Sequence, residues 1–337
     1  MPIERIETLI YGVADMANCI KYWEDIGLEK VEAGAKGATF KTPTNQYVFL
    51  RDMNDASLPK APEQGPTMRE PMWGVDSKDT LEKIAAELSK DREVTRGADG
   101  SIHSRDETGF AIAFGLTNPT EAKPALHRAN NYKTSGRVNE RVAHRERAKP
   151  TRIGHIVYLI ANDENKAKAS SFYLDRLGFK LTDRANRVGD FMRVHGPADH
   201  HSLLLMWIRQ RVVRFDHAAL ELPGFDDVLA TGAYMTKQGW KSGMGPGRQS
   251  LGSHVYWHFD NPSGGEIEYF TDMDRFDDSW QPKVWDDKTA TPGAVWILGE
   301  DPGEAMRRPP GAGGPPAGGA AVALSDKKPL TSQDVPG

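Results

Sequence analysis

The sequence predicts an α+β protein of two tandem modules, each made of paired βαβββ units that form an open, barrel-like sheet. A repeat is the first observation behind this prediction. Residues 5–11 and 152–158 are similar apolar segments, and each is followed by an amphipathic helix and then by glycine and an apolar residue. Repetition over this distance indicates a duplicated domain. The second observation is chain length, because 337 residues leave room for about two hydrophobic cores.

Composition narrows the class of protein. The net charge of -4 provides no overall basic field for nucleic acid. The mean hydropathy is -0.58, and no apolar run approaches the ~18 residues that a membrane span needs. Cys19 is the single cysteine, and the first residues lack the layout of a signal peptide. We therefore expect a cytoplasmic protein without an intrachain disulfide, and any metal site should use His, Asp or Glu as ligands.

The first module is predicted to occupy residues 1–116. Residues 38–41 and 47–50 are rich in β-branched and aromatic side chains, which is typical of strands. A helix is predicted from Ser77 to Leu88, because Ser77 can cap it and apolar residues follow at helical spacing. Residues 109–114 alternate as a final strand would.

Residues 117–150 are predicted to form a basic linker. Seven Lys or Arg residues lie between positions 128 and 149, with few large apolar residues among them. A solvated segment on the surface is the favoured interpretation, and a functional basic patch is the weaker one.

The second module is predicted over residues 151–300, including a C-terminal extension with Trp280, Trp285 and Trp296. Its predicted helices span 165–176 and 225–238, and its predicted strands after the first span 190–195, 202–208, 215–222, 254–259 and 265–270. The remaining residues, 301–337, are dominated by Pro, Gly and Ala and are predicted to be a disordered tail.

Three side chains at matching ends of these strands form a candidate metal site: His155, His217 and a carboxylate of the last strand. Two imidazoles and one carboxylate are the ligand set of oxygen-activating non-haem Fe(II) enzymes. Glu266 and Glu268 share a strand face, so periodicity does not choose between them. Each residue alone has an ordinary structural interpretation, as a hydrogen-bonded strand histidine or a rim carboxylate.

The first module differs at these positions. When the two modules are aligned, Thr8 corresponds to His155, and Ala113 corresponds to Glu268. The comparison predicts that only the second module holds the site.

The second module resembles the catalytic domain of type I extradiol (catechol-cleaving) dioxygenases of the vicinal oxygen chelate, or glyoxalase–bleomycin resistance, superfamily. The resemblance covers about residues 3–300, and the first module resembles the metal-free N-terminal domain of that family. The motifs that carry it lie at 154–157, 172–179, 199–203, 216–219, 245–248 and 260–269.

The resemblance implies that His155, His217 and Glu268 bind Fe(II), or Mn(II) as in some members. The implied reaction is ring cleavage of a catechol-like, di- or trihydroxylated aromatic compound with insertion of both atoms of O2. The expected partners are therefore a small aromatic substrate and O2, without nucleic acid or membrane, in a homo-oligomer.

The resemblance also assigns the acid–base histidine to the His200–His201 pair. Adjacent strand residues face opposite sides, so only one should face the metal, and His201 is favoured. His258 stands where the family usually has Tyr, and Gln249 where it often has His. We expect His258 to act in catalysis, and Arg248, Gln249, His254 and Tyr256 to contact substrate, with His254 farther from the metal end.

Two other functions stay open from the sequence. One is a metal-dependent isomerase or lyase on the same scaffold, in which the ion is only a Lewis acid. The other is a non-enzymatic protein that binds an aromatic compound. The His200–His201 pair favours an enzyme, because a binding module has no need of a proton shuttle.

Overall fold

The computed structural model describes residues 1–126, 128–142, 145–196, 198–208, 213–285 and 294–298, which belong to one compact unit, Met1–Gly299. The predicted tail, 301–337, lies outside the described residues. The fold is α+β, as predicted, with two large sheets and few helices.

The first module forms an eight-stranded sheet with the order β2-β3-β4-β1-β5-β8-β7-β6. Its helices are α1 (Met16–Ile26) and α2 (Lys78–Leu88). Its strands are β1 (Ile3–Val13), β2 (Glu29–Gly34), β3 (Gly37–Lys41), β4 (Tyr47–Asp52), β5 (Thr67–Val75), β6 (Thr95–Arg96), β7 (Ile102–Arg105) and β8 (Ala111–Leu116). The βαβββ order therefore occurs twice here. The predicted cap is present, since the Ser77 side chain accepts a hydrogen bond from the Thr80 amide.

The second module forms a ten-stranded sheet with the order β21-β12-β13-β15-β11-β16-β19-β18-β17-β22. Its strands are β11 (Arg152–Ala161), β12 (Lys180–Ala185), β13 (Gly189–Arg193), β15 (Leu203–Ile208), β16 (Arg214–Glu221), β17 (Gly247–Gln249), β18 (Val255–Asp260), β19 (Glu266–Thr271), β21 (Lys283–Trp285) and β22 (Ala294–Ile297). Two small pairs lie outside the large sheets: β9 (Asn130–Asn131) with β10 (Thr134–Ser135), and β14 (Ala198–Asp199) with β20 (Arg275–Phe276).

Helices α3 (Lys166–Ser171) and α4 (Phe225–Lys237) complete the second module. The helix predicted at 165–176 begins as α3 and ends in a π-helical turn, Phe172–Arg176, a rare geometry that apolar spacing does not reveal. Helix α4 packs closely on β18: a Cβ at Gly232 would lie 2.0 Å from a ring carbon of Trp257.

The duplication is visible in the strand pairing. In each sheet the first strand of the module, β1 or β11, pairs in parallel with the last strand of its own unit, β4 or β15. On its other side it pairs antiparallel with the first strand of the next unit, β5 or β16. Each module therefore has its repeat boundary at the centre of its sheet, where the predicted ligands of the second module lie.

Two arginines of the segment 117–150 contact residues of the modules on either side of it. Arg147 donates hydrogen bonds to the carbonyls of Glu24 and Asp25, and its guanidinium lies 4.8 Å from the ring centre of Tyr234. Arg145 pairs with Asp227 at 3.3 Å. Arg147 thus connects α1 of the first module to α4 of the second.

Direct contacts also join the two sheets. The buried amide of Gln46 donates to the carbonyls of Ile6 at 2.6 Å and Ile153 at 3.0 Å, and it accepts a bond from the amide of Ile153 at 2.8 Å. Trp23 of α1 donates through Nε1 to the Ser263 hydroxyl at 3.0 Å. Polar groups of one module thus complete the buried hydrogen bonding of the other.

Replacing Gln46 with Ala should lower the free energy of unfolding by about 2 kcal/mol or more, because buried backbone groups of Ile6 and Ile153 lose their partners. Urea unfolding measures the change. Gln281→Ala, at an exposed glutamine, is the matched control and should change stability by no more than ~0.5 kcal/mol. Equal effects of the two substitutions would contradict this account of the contact between the modules.

Candidate metal centre and active site

Four neighbouring strands bring the predicted ligands together. In the register of the sheet, Val157 lies opposite His217, and Ala219 lies opposite both His155 and Glu268. Glu268 in turn lies opposite His258. Strands β11, β16, β19 and β18 therefore present these side chains on one face of the second sheet.

The three predicted ligands form a tight cluster. The Nε2 atoms of His155 and His217 each lie 3.1 Å from Oε2 of Glu268. One ligand atom from each residue lies within 4.8 Å of the other two, and all three residues are buried. The structure thus brings Glu268, rather than Glu266, to the two histidines.

The donor set fits a divalent transition metal. Imidazole and carboxylate are suitable ligands for Fe, Mn or Zn. His217 Nε2 and Glu268 Oε1 are buried without a hydrogen bond of good geometry among the described residues. Buried polar atoms usually have partners, so two such atoms in one cluster are consistent with a site shaped for an ion.

Electrostatics in the cluster favour a charged carboxylate. Burial opposes ionisation of Glu268, but nearby His155 and His254 outweigh it and hold its pKa well below the usual range. Burial lowers the pKa of His155 to about 4. Burial also disfavours charge on His217, but its hydrogen bond to Asp216 and the nearby charge of Glu268 prevail and raise its pKa to about 10. The pKa values of the two histidines are therefore shifted in opposite directions, because His217 has a second carboxylate beside it and His155 does not.

A second layer of carboxylates orients the outer ring nitrogens. His217 Nδ1 lies 2.8 Å from Asp216 Oδ2, and His258 Nδ1 lies 3.0 Å from Glu266 Oε2. Such contacts fix ring orientation and tautomer in metal sites. Glu266 therefore has a partner of its own, whereas Glu268 lies against both His155 and His217.

The two adjacent histidines lie on different sides of the site. The ring of His201 lies 4.2 Å from that of His155, centre to centre. His200 is turned away from the cluster, and its Nε2 lies 2.8 Å from Asp183 Oδ2. Both rings are buried, and His201 is the one beside the ligands. The two residues lie between β14 and β15 rather than in a strand, so the local course of this segment, and not strand alternation, separates their side chains. Its acid–base role stays a prediction.

His254 lies closer to the centre than the sequence predicted. Its Nε2 is 3.1 Å from Oε1 of Glu268, so the expectation that it lies farther from the metal end was wrong. The reason is that His254 immediately precedes β18, the strand paired with β19, where Glu268 lies. The Nε2 atom of His258 is 3.6 Å from Glu268 Oε2, and the Tyr256 ring lies 6.1 Å from that of His254 and 5.6 Å from that of His258.

Arg248 and Gln249 lie on β17, at the edge of this arrangement. The Arg248 guanidinium pairs with Asp272 at 2.9 Å and donates to the Ser253 carbonyl. The backbone amide of Gln249 donates to the His254 carbonyl at 2.9 Å. Substrate contact by these two residues stays a prediction.

Asp183 is the site residue that sequence reasoning missed. It lies on β12, is buried, and accepts hydrogen bonds from His200 and from Trp285 Nε1. A charged residue within a strand was the only local signal, and it does not identify the partner, which lies 17 positions away.

The first module has a different cluster at the corresponding register positions. Glu70 lies opposite Ile10 as His217 lies opposite Val157. His103 is paired with Ala113 as His258 is paired with Glu268. His103 Nδ1 lies 3.0 Å from Glu70 Oε2, and its Nε2 lies 2.9 Å from the Ser101 hydroxyl. Thr8 and Ala113 supply neither an imidazole nor a carboxylate. The first module therefore has a Glu70–His103 pair where the second has three candidate ligands.

Comparisons with known proteins support the assignment of the fold. Residues 152–269 match the model of the Glyoxalase/Bleomycin resistance protein/Dioxygenase superfamily. A match to this superfamily was expected from the sequence, and it coincides with the part of the second module that holds the cluster.

Individual proteins that resemble this chain share low sequence identity with it. The chain is 30% identical over 159 residues to metapyrocatechase 2 of Cupriavidus necator, a match that covers 47% of each protein and so spans about half the length of that relative. The Mn(II)-bound glyoxalase from Novosphingobium aromaticivorans has a similar structure, with a TM-score of 0.70 at 22% identity over 92% of this chain and 97% of that one.

Homoprotocatechuate 2,3-dioxygenase from Brevibacterium fuscum, solved with 3,4-dihydroxyphenylacetate, has a TM-score of 0.67 at 16% identity over 89% of this chain and 91% of that one. At these identities the two structures establish a shared fold for both modules.

Among the described residues, no helix combines the length and apolar character that crossing a bilayer requires.

Removing any one ligand should abolish metal retention. We expect His155→Ala, His217→Ala and Glu268→Ala each to weaken metal binding by at least ~100-fold, measured as metal content after dialysis of Fe(II)- or Mn(II)-loaded protein. His195→Ala, at an exposed histidine of the same module, should retain metal like the wild type. Full occupancy in any of the three variants would refute the ligand assignment.

The Glu70–His103 pair should make stability depend on pH. The hydrogen bond from His103 to Glu70 raises the pKa of the imidazole above its usual value. A raised pKa stabilises the fold fully below the unfolded pKa of about 6.5, and the contribution is lost as pH rises through the folded value. His103→Gln should therefore destabilise the protein more at about pH 5.5 than at about pH 9. A loss that is the same at both pH values in urea unfolding would exclude the ion pair.

Proposed function

We propose that the protein is an Fe(II)-dependent extradiol-type dioxygenase that cleaves a catechol-like aromatic ring with insertion of both atoms of O2. The observation that carries the proposal is the buried His155–His217–Glu268 cluster with a further histidine, His201, against it. Two imidazoles and one carboxylate would leave three positions of an octahedral ion for a diol and O2. The similarity to a metapyrocatechase and to dioxygenase structures supports the same reaction.

The roles of the residues follow from their positions. His155, His217 and Glu268 would hold the ion, with Mn(II) as the alternative to Fe(II). When bound, the ion would supply a Lewis acid for the two substrate hydroxyls and a route for electron density from the ring to O2. His201 would accept a proton from a substrate hydroxyl and return it later in the reaction, as a general base and then a general acid.

Three other residues would shape the substrate site. His258, with Nδ1 held by Glu266, would donate a hydrogen bond to a substrate oxygen from Nε2. His254 and Tyr256 would form the wall beside Glu268, and Arg248 and Gln249 would contribute at the β17 edge. The burial of the histidines would keep bulk water from the reacting groups.

A Lewis-acid reaction is the second candidate, because the Mn(II) glyoxalase shares the fold over nearly the whole chain. An isomerase or lyase of this kind would use the same ion but would consume no O2. Electrode measurement of O2 uptake therefore separates the two candidates. The protein should be purified without air, loaded with Fe(II) or Mn(II), and supplied with catechols, hydroquinones, trihydroxybenzenes and aminophenols.

Substrate-dependent uptake of O2 together with the absorbance of a ring-opened product would support the dioxygenase. If the protein binds one equivalent of metal but no compound in the panel drives uptake, the Lewis-acid candidate replaces it.

His201→Ala should retain metal but lower turnover by roughly 10²–10⁴-fold, because the substrate loses its proton acceptor. Metal content and the kcat for O2 uptake test this expectation. His195→Ala should retain wild-type turnover, since that side chain is exposed. Wild-type turnover in His201→Ala would reassign the acid–base role.

A further inference from the structure

We propose that Asp183 is a positioning residue that acts through His200 to fix the ring tautomer of His201, so that His201 presents an unprotonated Nε2 to the substrate. The inference deepens the proposed function, because it uses the acid–base role assigned there to His201. It adds a three-residue relay, Asp183–His200–His201.

The relay is a continuous line of hydrogen-bonding contacts. Asp183 Oδ2 lies 2.8 Å from His200 Nε2, and His200 Nδ1 lies 3.0 Å from His201 Nδ1. All three side chains are buried, with exposures of 4%, 1% and 3%. Water therefore has little access to these bonds, and the protons must be arranged among the three residues themselves.

That arrangement follows from the number of donors. A carboxylate only accepts, so the proton of neutral His200 must lie on Nε2, and its Nδ1 is then an acceptor. The contact between the two Nδ1 atoms needs one donor, so His201 must carry its proton on Nδ1. The neutral ring of His201 then has an unprotonated Nε2, which is the form that a general base requires.

Burial keeps His200 in the form that this arrangement needs. It lowers the pKa of His200, and the opposing attraction of Asp183 does not reverse the shift. A neutral His200 has only one proton to place, so the carboxylate selects the tautomer. Without Asp183, His200 could carry its proton on Nδ1 instead, and His201 would then hold its own proton on Nε2.

The surroundings hold Asp183 in place for this role. Its other oxygen accepts a hydrogen bond from Trp285 Nε1 at 3.1 Å. The pairing of β12 with β13 shifts register between Leu181 and Asp183, an irregularity of the kind that re-aims a side chain. The rings of Phe191 and Phe276 lie 5.2 Å and 5.7 Å from that of His200 and limit its rotation.

Nitrogen-15 NMR of the full-length protein loaded with diamagnetic Zn²⁺ tests the tautomers directly. We expect His200 protonated at Nε2 and His201 at Nδ1 in the wild type. In Asp183→Asn the amide can donate to His200 Nε2, so both rings should change tautomer. His200 protonated at Nδ1 in the wild type, or tautomers unchanged in Asp183→Asn, would overturn the proposal.

Kinetics of the Fe(II)-loaded protein give the second readout. Asp183→Asn should lower kcat by roughly 10²–10⁴-fold with little change in KM or metal content, because it leaves a wrong tautomer in an otherwise intact site. Asp183→Glu, which keeps a carboxylate, should restore the wild-type tautomers and part of the rate. An unchanged kcat in a well-folded Asp183→Asn protein would also overturn the proposal.

Two comparisons keep the test decisive. Trp285→Phe removes the other hydrogen bond to Asp183 but not the carboxylate, so it should keep the wild-type tautomers. If Asp183→Asn fails to fold, Asp183→Glu and the wild-type tautomers still decide the question. If the protein consumes no O2 with any substrate, the proposed function fails while the NMR result still tests the relay.

Discussion

The second module is organised around one buried charge, the carboxylate of Glu268. A desolvated carboxylate is costly unless positive or hydrogen-bonding groups surround it, and here four histidines approach its two oxygens. These histidines come from β11, β16 and the segment that includes β18, so the charge makes the central strands of the sheet interdependent. A divalent ion would satisfy the same carboxylate more fully, which links the stability of this core to metal binding.

The duplication provides the scaffold for that arrangement, and the first module indicates what the sheet holds without an ion. At the corresponding place, Glu70 and His103 form an ion pair in which each side chain is the partner of the other. The same backbone geometry therefore accommodates either a Glu–His pair or a cluster of three candidate metal ligands. The difference lies in Thr8 and Ala113, which supply neither an imidazole nor a carboxylate. The buried Gln46 contact is one of those that join the two modules.

Much of the fold and of the candidate metal site could be predicted from the sequence. The repeated segments place His155, His217 and Glu268 at equivalent ends of their strands. Apolar residues at helical spacing also predicted α2 and α4 to within a few residues. Alternating apolar residues did the same for most strands of the second module. The position of His254 and the role of Asp183 could not be predicted. The position of His254 depends on the pairing of β18 with β19, and that of Asp183 depends on an irregularity in β12. Local residue patterns contain no information about either. The π-helical turn at Phe172–Arg176 escaped for a related reason, since it preserves the apolar pattern of a helix.

The acid–base role proposed for His201 would need more than proximity to the His155–His217–Glu268 cluster. His201 lies beside His155 and is buried, so water has little access to its ring. Among the residues that the structure describes, the hydrogen-bonding contact of its Nδ1 is with His200, whose tautomer is equally ambiguous. A carboxylate removes the ambiguity for both rings because it can only accept, and Asp183 stands at the end of the line where that constraint acts. In this proposal one buried carboxylate, Asp183, fixes the position of the proton on both imidazole rings. Trp285 holds the other oxygen of that carboxylate by a hydrogen bond.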